Sequence, residues 1–348
     1  MDKMRTYDVL IVGAGPAGSV CASLLKRAGL ECLLIDHASF PRDKICGGGL
    51  TPKAWQTLGR LFPDFKYEYM PITNFGLIID GEHCGYLRLD DMQRMIRIVR
   101  RKDFDHLLLQ QYLAAGGAFE QGAFADFSED AARKDYPVVV TLRSGEQIAC
   151  RYLVGADGAT SQVRKRIAPH SSNGFLFYEQ YHDRAADVEP MITLSLSNSY
   201  SHGYFYVFPN KTHDVIGFGD AHTSKDSFKR VLKELDYPYL TDRPLRGAFI
   251  PRASVVSPSP RVILIGDAGG FTNRVSYEGL YYAIATAENA SRAIIEGRDF
   301  REVNRKIFRK KRKEDILDKI VYSRFGLSVI KRIAHFPRFF AACYNFYV

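Results

Sequence analysis

The chain opens on an apolar run, Asp8-Val-Leu-Ile-Val12, then Gly13-Ala-Gly-Pro-Ala-Gly18, then an Ala- and Leu-rich segment from Ser19 to Ala28. The run predicts a buried strand, the glycines a tight turn, and the segment a helix that Gly29 ends. A second strand is expected over Glu31 to Asp36. Strand, helix and strand in that order predict a parallel sheet. Phe40 to Pro52 reads as a loop rich in Gly and charge, and 72–89 alternates as strands do. Phe104, Leu107, Leu108 and Tyr112 recur near helical spacing, which predicts a helix from Arg101 to Ala115. Val138 to Leu142 and Ala149 to Val154 predict a β pair around Ser144-Gly145.

From about Gly174 to Pro251 aromatic and β-branched strands take over, such as Met191 to Leu196 and Gly203 to Phe208. They predict a separate antiparallel sheet. Val262 to Ile265 returns to a buried, parallel-type strand, followed by Gly266-Asp-Ala-Gly-Gly270 and a small-residue helix from Gly279 to Ile295. The first sheet is therefore expected to be completed near residue 265. The expected units are 1–70, 100–170 and 258–298 as one discontinuous domain, 71–99 and 171–257 as a second, and 299–348 as a basic helical tail. A length of 348 residues suits two domains.

Composition changes the picture in two places. Hydrophobic residues at 46% and charged residues at 25% exclude a disordered chain. The net charge of +9 arises entirely from Arg301 onward, where 13 Lys or Arg face 4 Asp or Glu. A balanced body with a basic tail argues against a nucleic-acid-binding fold and for either a local anionic partner or a solvated basic helix face. The six Cys form no C-x-x-C pair, which predicts a reduced, cytoplasmic setting and no metal site. The first apolar run is too short for a signal peptide, and no stretch reaches the ~18–20 apolar residues of a spanning helix. Phe308 to Lys313 is basic, and Phe325, Leu327, Ile330, Ile333, Phe336, Phe339 and Phe340 are broken by Lys331, Arg332 and Arg338. That mixture fits a segment lying on an anionic membrane surface, on its inner face, or a helix capping the first domain.

The chemistry starts at the glycine turn. Gly13 allows the turn, Gly15 lets backbone approach a pyrophosphate, and Gly18 lets the helix pack on the strand. The helix N-terminus favours phosphate, and Asp36, 18 residues beyond Gly18, can accept from a ribose hydroxyl. Two further strand ends, Asp157-Gly158 and Gly266-Asp267, could each hold a ribitol hydroxyl, which points to FAD over NAD.

With these motifs in this order, the chain resembles FAD-dependent oxidoreductases of the para-hydroxybenzoate hydroxylase fold over about residues 7 to 295. Within them it is most similar to the geranylgeranyl reductase family. That narrower likeness rests on Cys46-Gly47-Gly48-Gly49 and on Tyr204-Phe-Tyr206-Val-Phe208-Pro209, close to the signature P-x-x-Y-x-W-x-F-P. Ser201 stands in place of the first Pro and Tyr206 in place of the Trp. The resemblance implies an α/β fold: a Rossmann-type FAD-binding domain, an inserted antiparallel-sheet substrate domain and a helical C-terminal tail. It implies that Cys46, Gly47 and Gly49 lie against the flavin, and that Arg101 supports FAD from its helix. It also implies that Ala123, on the next strand, contacts the adenine end, and that Asp267, Gly279 and Leu280 contact the flavin side.

The implied activity is reduction of C=C bonds in a prenyl chain on a lipid or related isoprenoid. Cys46 is either the proton donor or a small residue packed under the flavin. Tyr204, Tyr206 and Phe208 alternate on one strand face, with Pro209 at its end, and line either an apolar channel or a core. Tyr178 and Tyr181 are further candidates. A hydroxylase using FAD, NAD(P)H and oxygen, or a non-catalytic prenyl or flavin binder, are the competing readings. No second glycine-turn unit offers a resident NADPH site, so NAD(P)H or a reduced carrier is expected to dock transiently.

Overall fold

The computed structural model describes residues 4–171, 174–184, 187–237 and 244–347, with only backbone for 337, 343 and 345–347. Met1 to Lys3 and Val348, the ends of the expected first domain and tail, lie outside the described residues.

Two large sheets and one small one organise the chain. The first has the order Ala118–Gln121, Cys32–Asp36, Arg5–Val12, Gln147–Gly155, Val138–Leu142 and Phe124–Glu129. Val262–Leu264 joins it as a parallel neighbour of Gln147–Gly155, with Leu153 opposite Val262. The opening sheet is thus completed more than a hundred residues after Gln147–Gly155 ends. Cys32–Asp36 is buried at every position, which is why it reads as an unbroken apolar run and not as an alternating one. Helices Pro16–Arg27, Arg101–Ala114 and Leu280–Glu296 cover one face with a core that includes Leu25, Leu108, Tyr282 and Ile284.

The second sheet runs Arg246–Pro251, Gly174–Asp183, His213–Asp220, Tyr204–Pro209, Met191–Leu196, Asn74–Ile79 and Glu82–Arg88. It is antiparallel except at one seam. Met191–Leu196 and Asn74–Ile79 pair in parallel, because the chain returns to this sheet only after crossing the first. Phe205, Val207, Ile216 and Phe218 point to its far face and pack on Phe228, Val231 and Leu232 of helix Lys225–Glu234. A small sheet of Gly49–Leu50, Ile96–Ile98 and Met70–Ile72 sits between the large ones and anchors the Cys46–Gly49 loop.

The tail forms helices Arg305–Val321, Arg324–Ala334 and Pro337–Tyr347. It is fixed to the body along its length. Lys311 and Glu314 bind each other and the segment around Thr272 to Arg274. The later helices lie on Glu82–Arg88, where Lys331 meets Glu82 and Gly85 faces Phe340. Among the described residues no helix is long and apolar enough to cross a membrane.

Candidate active site

One cavity of about 1470 Å³ runs between the two large sheets. Single small-molecule pockets are typically ~300–1,000 Å³, so this one has room for a cofactor and a second ligand.

Its first end is the glycine turn. Gly13 sits at φ +104, a left-handed conformation that L side chains avoid. Asp36 closes its strand beside the turn, accepting from the Ala14 N–H at 2.8 Å and the Ala38 N–H at 2.9 Å. Gly15 caps helix Pro16–Arg27, whose first turn carries no acid and no side-chain cap; Gly15, Pro16 and Ala17 line the cavity, and Ala17 is the first helical residue there with an N–H. The Arg42 guanidinium stands 3.4 Å from where a Cβ on Gly15 would be. A cation over open amides at a helix N-terminus fits a pyrophosphate. Gly18 does not line the cavity; a Cβ there would run into the Gly13 carbonyl, so its role is helix packing.

The middle of the cavity is walled by Asp267, Glu278, Gly279 and Leu280 on one side and the Cys46–Gly49 loop on the other. The Asp267 carboxylate faces Gly279, 3.3 Å from where its Cβ would be. Glu278 accepts from the Thr51 hydroxyl, and burial pushes its carboxyl up to about 7. Ala123 lines the cavity from the break between Ala118–Gln121 and Phe124–Glu129, not from a strand. The Gly122 N–H still bonds the Asp36 carbonyl as the last rung of the parallel ladder, and Ala123 follows immediately beyond it. Asp157 has a second role. It lines the cavity, but its carboxylate is also engaged within the protein: it accepts from the Ser161 hydroxyl and the Gln162 and Val163 amides at the start of the next short helix.

Arg101 is buried. It forms a two-pronged bond with Asp105, at 2.8 Å on each prong, and also meets the sulfur of Cys46. Cys46 accepts a further bond from the Gly48 amide at 3.4 Å. Gly48 takes φ +75, with its Cβ position 2.2 Å from the Val99 carbonyl. Cβ atoms on Gly47 and Gly49 would press on the Phe208 ring at 2.9 and 3.1 Å. These glycines let the loop lie flat against the aromatic strand, so the two family-like segments form one wall.

That strand does place Tyr204, Tyr206 and Phe208 on one face toward the cavity. Pro209 ends it and lies outside the cavity lining. Tyr178 faces the far side with Phe228, and Tyr181 stands at the edge, accepting from Arg246.

The residues least expected lie opposite. Tyr206, Gly217 and Glu179 stand in register across three strands, and so do Tyr204, Gly219 and Phe177. A Cβ on Gly217 would overlap the Tyr206 ring at 2.2 Å, and one on Gly219 the Phe177 ring at 2.3 Å. The bare glycines let Tyr206 lie across the middle strand and donate its hydroxyl to Glu179. Glu179 is 3% exposed, and its Oε2 has no hydrogen-bond partner among the described residues. Burial, opposed by Tyr206, Arg246, Lys44 and Arg101, pushes this carboxyl up to about 7. The alternating Gly217-Phe-Gly219 and a lone acid within Phe175-Leu-Phe-Tyr-Glu-Gln-Tyr181 were the available signals.

Beyond Tyr206 the cavity turns apolar, lined by Leu194, Leu196, Ile330, Ile333 and Phe340, and it passes under the tail helices. A phosphate-binding turn, a ribose carboxylate, a ring-sized middle and an apolar extension define an FAD-dependent oxidoreductase of the para-hydroxybenzoate hydroxylase fold. The comparisons agree. The FAD binding domain model matches residues 6–217. A geranylgeranyl diphosphate reductase of Rhodobacter capsulatus is 30% identical, covering 82% of this chain and 74% of that one. A menaquinone reductase of Mycobacterium tuberculosis is 29% identical, covering 95% of this chain and 85% of that one. The solved geranylgeranyl bacteriochlorophyll reductase-like protein of Thermoplasma acidophilum superposes with a TM-score of 0.74 at 20% identity, over 99% of this chain and all of that one. The chain belongs to the geranylgeranyl reductase family of FAD-binding oxidoreductases. Its fold alone does not choose a reaction, since a flavin-dependent halogenase and a FAD-dependent monooxygenase of Pseudomonas aeruginosa share it.

Proposed function

We propose that this protein reduces C=C bonds in a prenyl chain carried by a lipid or related isoprenoid. The observation that carries the reading is the shape of the cavity, which continues from the flavin end into an apolar passage past Tyr206 and Phe208. A polar aromatic substrate would have no use for that length of aliphatic wall. FAD, when bound, supplies the hydride chemistry. The glycine turn, Asp36 and Arg42 hold its phosphates and ribose, while Asp267, Gly279 and the Cys46–Gly49 loop fix the ring end. The aromatic strand orients the chain and keeps water out.

Reduction of an isolated double bond also needs a proton on the second carbon. Cys46 and the Tyr206–Glu179 pair both border the cavity. The pair fits better. The Cys46 sulfur is held as an acceptor by Gly48 and Arg101. Glu179 instead keeps a proton up to about pH 7; Tyr206 can give its hydroxyl proton to the carbon and take the carboxyl proton in its place, their hydrogen bond reversing direction. Cys46→Ala is therefore expected to retain FAD and slow turnover by less than about tenfold, against the ~10²–10⁴ that loss of a proton donor brings. Single-turnover rates of flavin oxidation check this.

The direct test of the function is anaerobic. The protein is reduced and mixed with a geranylgeranyl lipid, and the oxidised flavin bands are followed. Return of the bands without oxygen, with a product heavier by two hydrogens, is the expected result. Reoxidation only on admitting oxygen, with a product heavier by one oxygen atom, would establish a hydroxylase instead.

A further inference from the structure

The apolar passage opens to the surface at the tail. Ile320, Phe325 and Val329 line the cavity and are also 53%, 78% and 37% exposed. Ile316, one turn before Ile320, is 65% exposed, and Phe336 continues the Phe325–Val329 stripe at 64%. Large apolar side chains this exposed around a cavity mouth mark a contact surface.

The charges around this mouth are sorted. On helix Arg305–Val321 Glu314 and Asp318 are buried against the body, while Asp315 is half exposed and paired with Arg274. Glu314 is held by Tyr282, Lys311 and Asn273, Asp315 by Arg274, and Asp318 by His202 and Arg252. Lys311 is buried with Glu314, but six other bases face outward: Arg312, Lys313, Lys319, Arg324, Arg332 and Arg338 are exposed. The result is an apolar rim among exposed bases, with Glu314 and Asp318 buried and the nearby Asp315 and Glu82 paired to Arg274 and Lys331. That pattern is complementary to anionic headgroups over acyl chains.

We propose that helices Arg305–Val321 and Arg324–Ala334 dock on an anionic lipid bilayer, with Ile320, Phe325 and Val329 in its acyl region and the cavity mouth against it. The prenyl chain of a membrane lipid then enters the passage without crossing water. A protein seated on the same rim would close the opening that the substrate uses, which favours a bilayer as the occupant. The exposed apolar rim and its basic surround stand without the reaction; the preference for a bilayer over a protein that would block the opening, and the entry of a prenyl chain, rest on the function proposed above.

The test uses the flavin-loaded protein and vesicles of phosphatidylcholine with or without phosphatidylglycerol. Co-sedimentation is expected at least about tenfold more strongly with phosphatidylglycerol present, and it is expected to weaken as salt is raised. Arg324→Glu combined with Arg332→Glu should lose about tenfold or more of that binding while keeping its flavin. Phe325→Trp supplies a depth reporter, since the chain has a single Trp, Trp55, which is 8% exposed. Its fluorescence is expected to be quenched by lipids brominated on the acyl chain, beyond any effect on the wild type. Equal binding to both vesicle types would overturn the proposal. So would a bound Phe325→Trp protein that escapes quenching, or tighter binding to polyglutamate than to anionic vesicles, the mark of an acidic protein partner. None of these readings needs turnover. Intact docking without oxidation by prenyl lipid would overturn the reaction and leave the docking standing.

Discussion

Gly13→Ala is expected to give a protein that purifies with less than about a tenth of its FAD. The first cost is conformational. At φ +104 an alanine is strained by roughly 1–3 kcal/mol. The second is steric and larger in consequence. The new Cβ would stand 2.4 Å from the Ala156 carbonyl oxygen and 2.8 Å from the Asp157 Cα. Those are backbone atoms, and the Ala156 amide is itself bonded to the Val12 carbonyl at 2.7 Å, so no side-chain rotation relieves the clash. The turn must move, and it carries with it the Ala14 amide that holds Asp36. Each 1.4 kcal/mol lost from cofactor binding is tenfold, so the strain and clash together exceed what the expected loss requires. Gly29→Ala separates the two effects. Gly29 has φ +83, yet nothing lies within 4 Å of its Cβ position. That variant should lose about 1 kcal/mol of stability and no flavin. Visible flavin absorbance per protein, with thermal midpoints for both variants, checks the pair. A yellow Gly13→Ala protein would mean that the turn is not the cofactor cradle.

How much was legible in the sequence follows from how local each feature is. Gly13, Gly15, Gly18 and Asp36 belong to one strand–turn–helix–strand unit, where spacing nearly determines geometry. The return of Val262–Leu264 to the first sheet was legible because a buried parallel strand lacks alternation. Asp157 was only half legible for the reverse reason. An Asp at a strand end looks the same whether it borders a cavity or holds the start of the following helix, and here it does both, with Ser161 as the cap residue. Arg42 is one charge in a charged loop, and only the fold brings it over Gly15. The pairing of Cys46–Gly49 with Phe208 required the small sheet that brings residues 49 and 98 together. Tyr206 and Glu179 are 27 residues apart, and their contact depends on the register of an intervening strand. A one-residue slip would send either side chain to the opposite face. The tail's excess of bases was plain from composition. That Glu314 and Asp318 share an inward face, four residues apart, was readable from helical spacing but becomes informative only with the body in place.

Glu179→Gln is expected to separate stability from activity in opposite directions. Glutamine keeps an acceptor for the Tyr206 hydroxyl and removes the ionisable proton. Because burial pushes the native carboxyl up to about 7 from an ordinary value of 4.5, the folded state binds this proton more tightly than the unfolded chain does. Its contribution to stability is therefore fully present below about pH 4.5. It is lost as pH rises toward 7, where the folded protein must at last ionise a buried group, and it stays lost above that. The whole swing is on the order of 3 kcal/mol. At pH 8 the variant escapes that penalty, but it leaves an extra amide N–H near the unpartnered Oε2 position, a cost of about 1–2 kcal/mol. The variant should accordingly be more stable than the native protein by about 1–2 kcal/mol at pH 8, and no more stable at pH 4. Turnover should move the other way. The native rate of prenyl-lipid-driven flavin oxidation should be flat in acid and fall tenfold per unit above about pH 7, since the protonated carboxyl supplies the proton. The variant should be slower by ~10²-fold or more with that pH break gone. A residue that merely held Tyr206 in place would keep the break and destabilise the protein when changed. Denaturant unfolding at the two pH values and single-turnover kinetics across the range distinguish the two roles. A pH break that survives in Glu179→Gln but vanishes in Cys46→Ala would return the proton to the thiol.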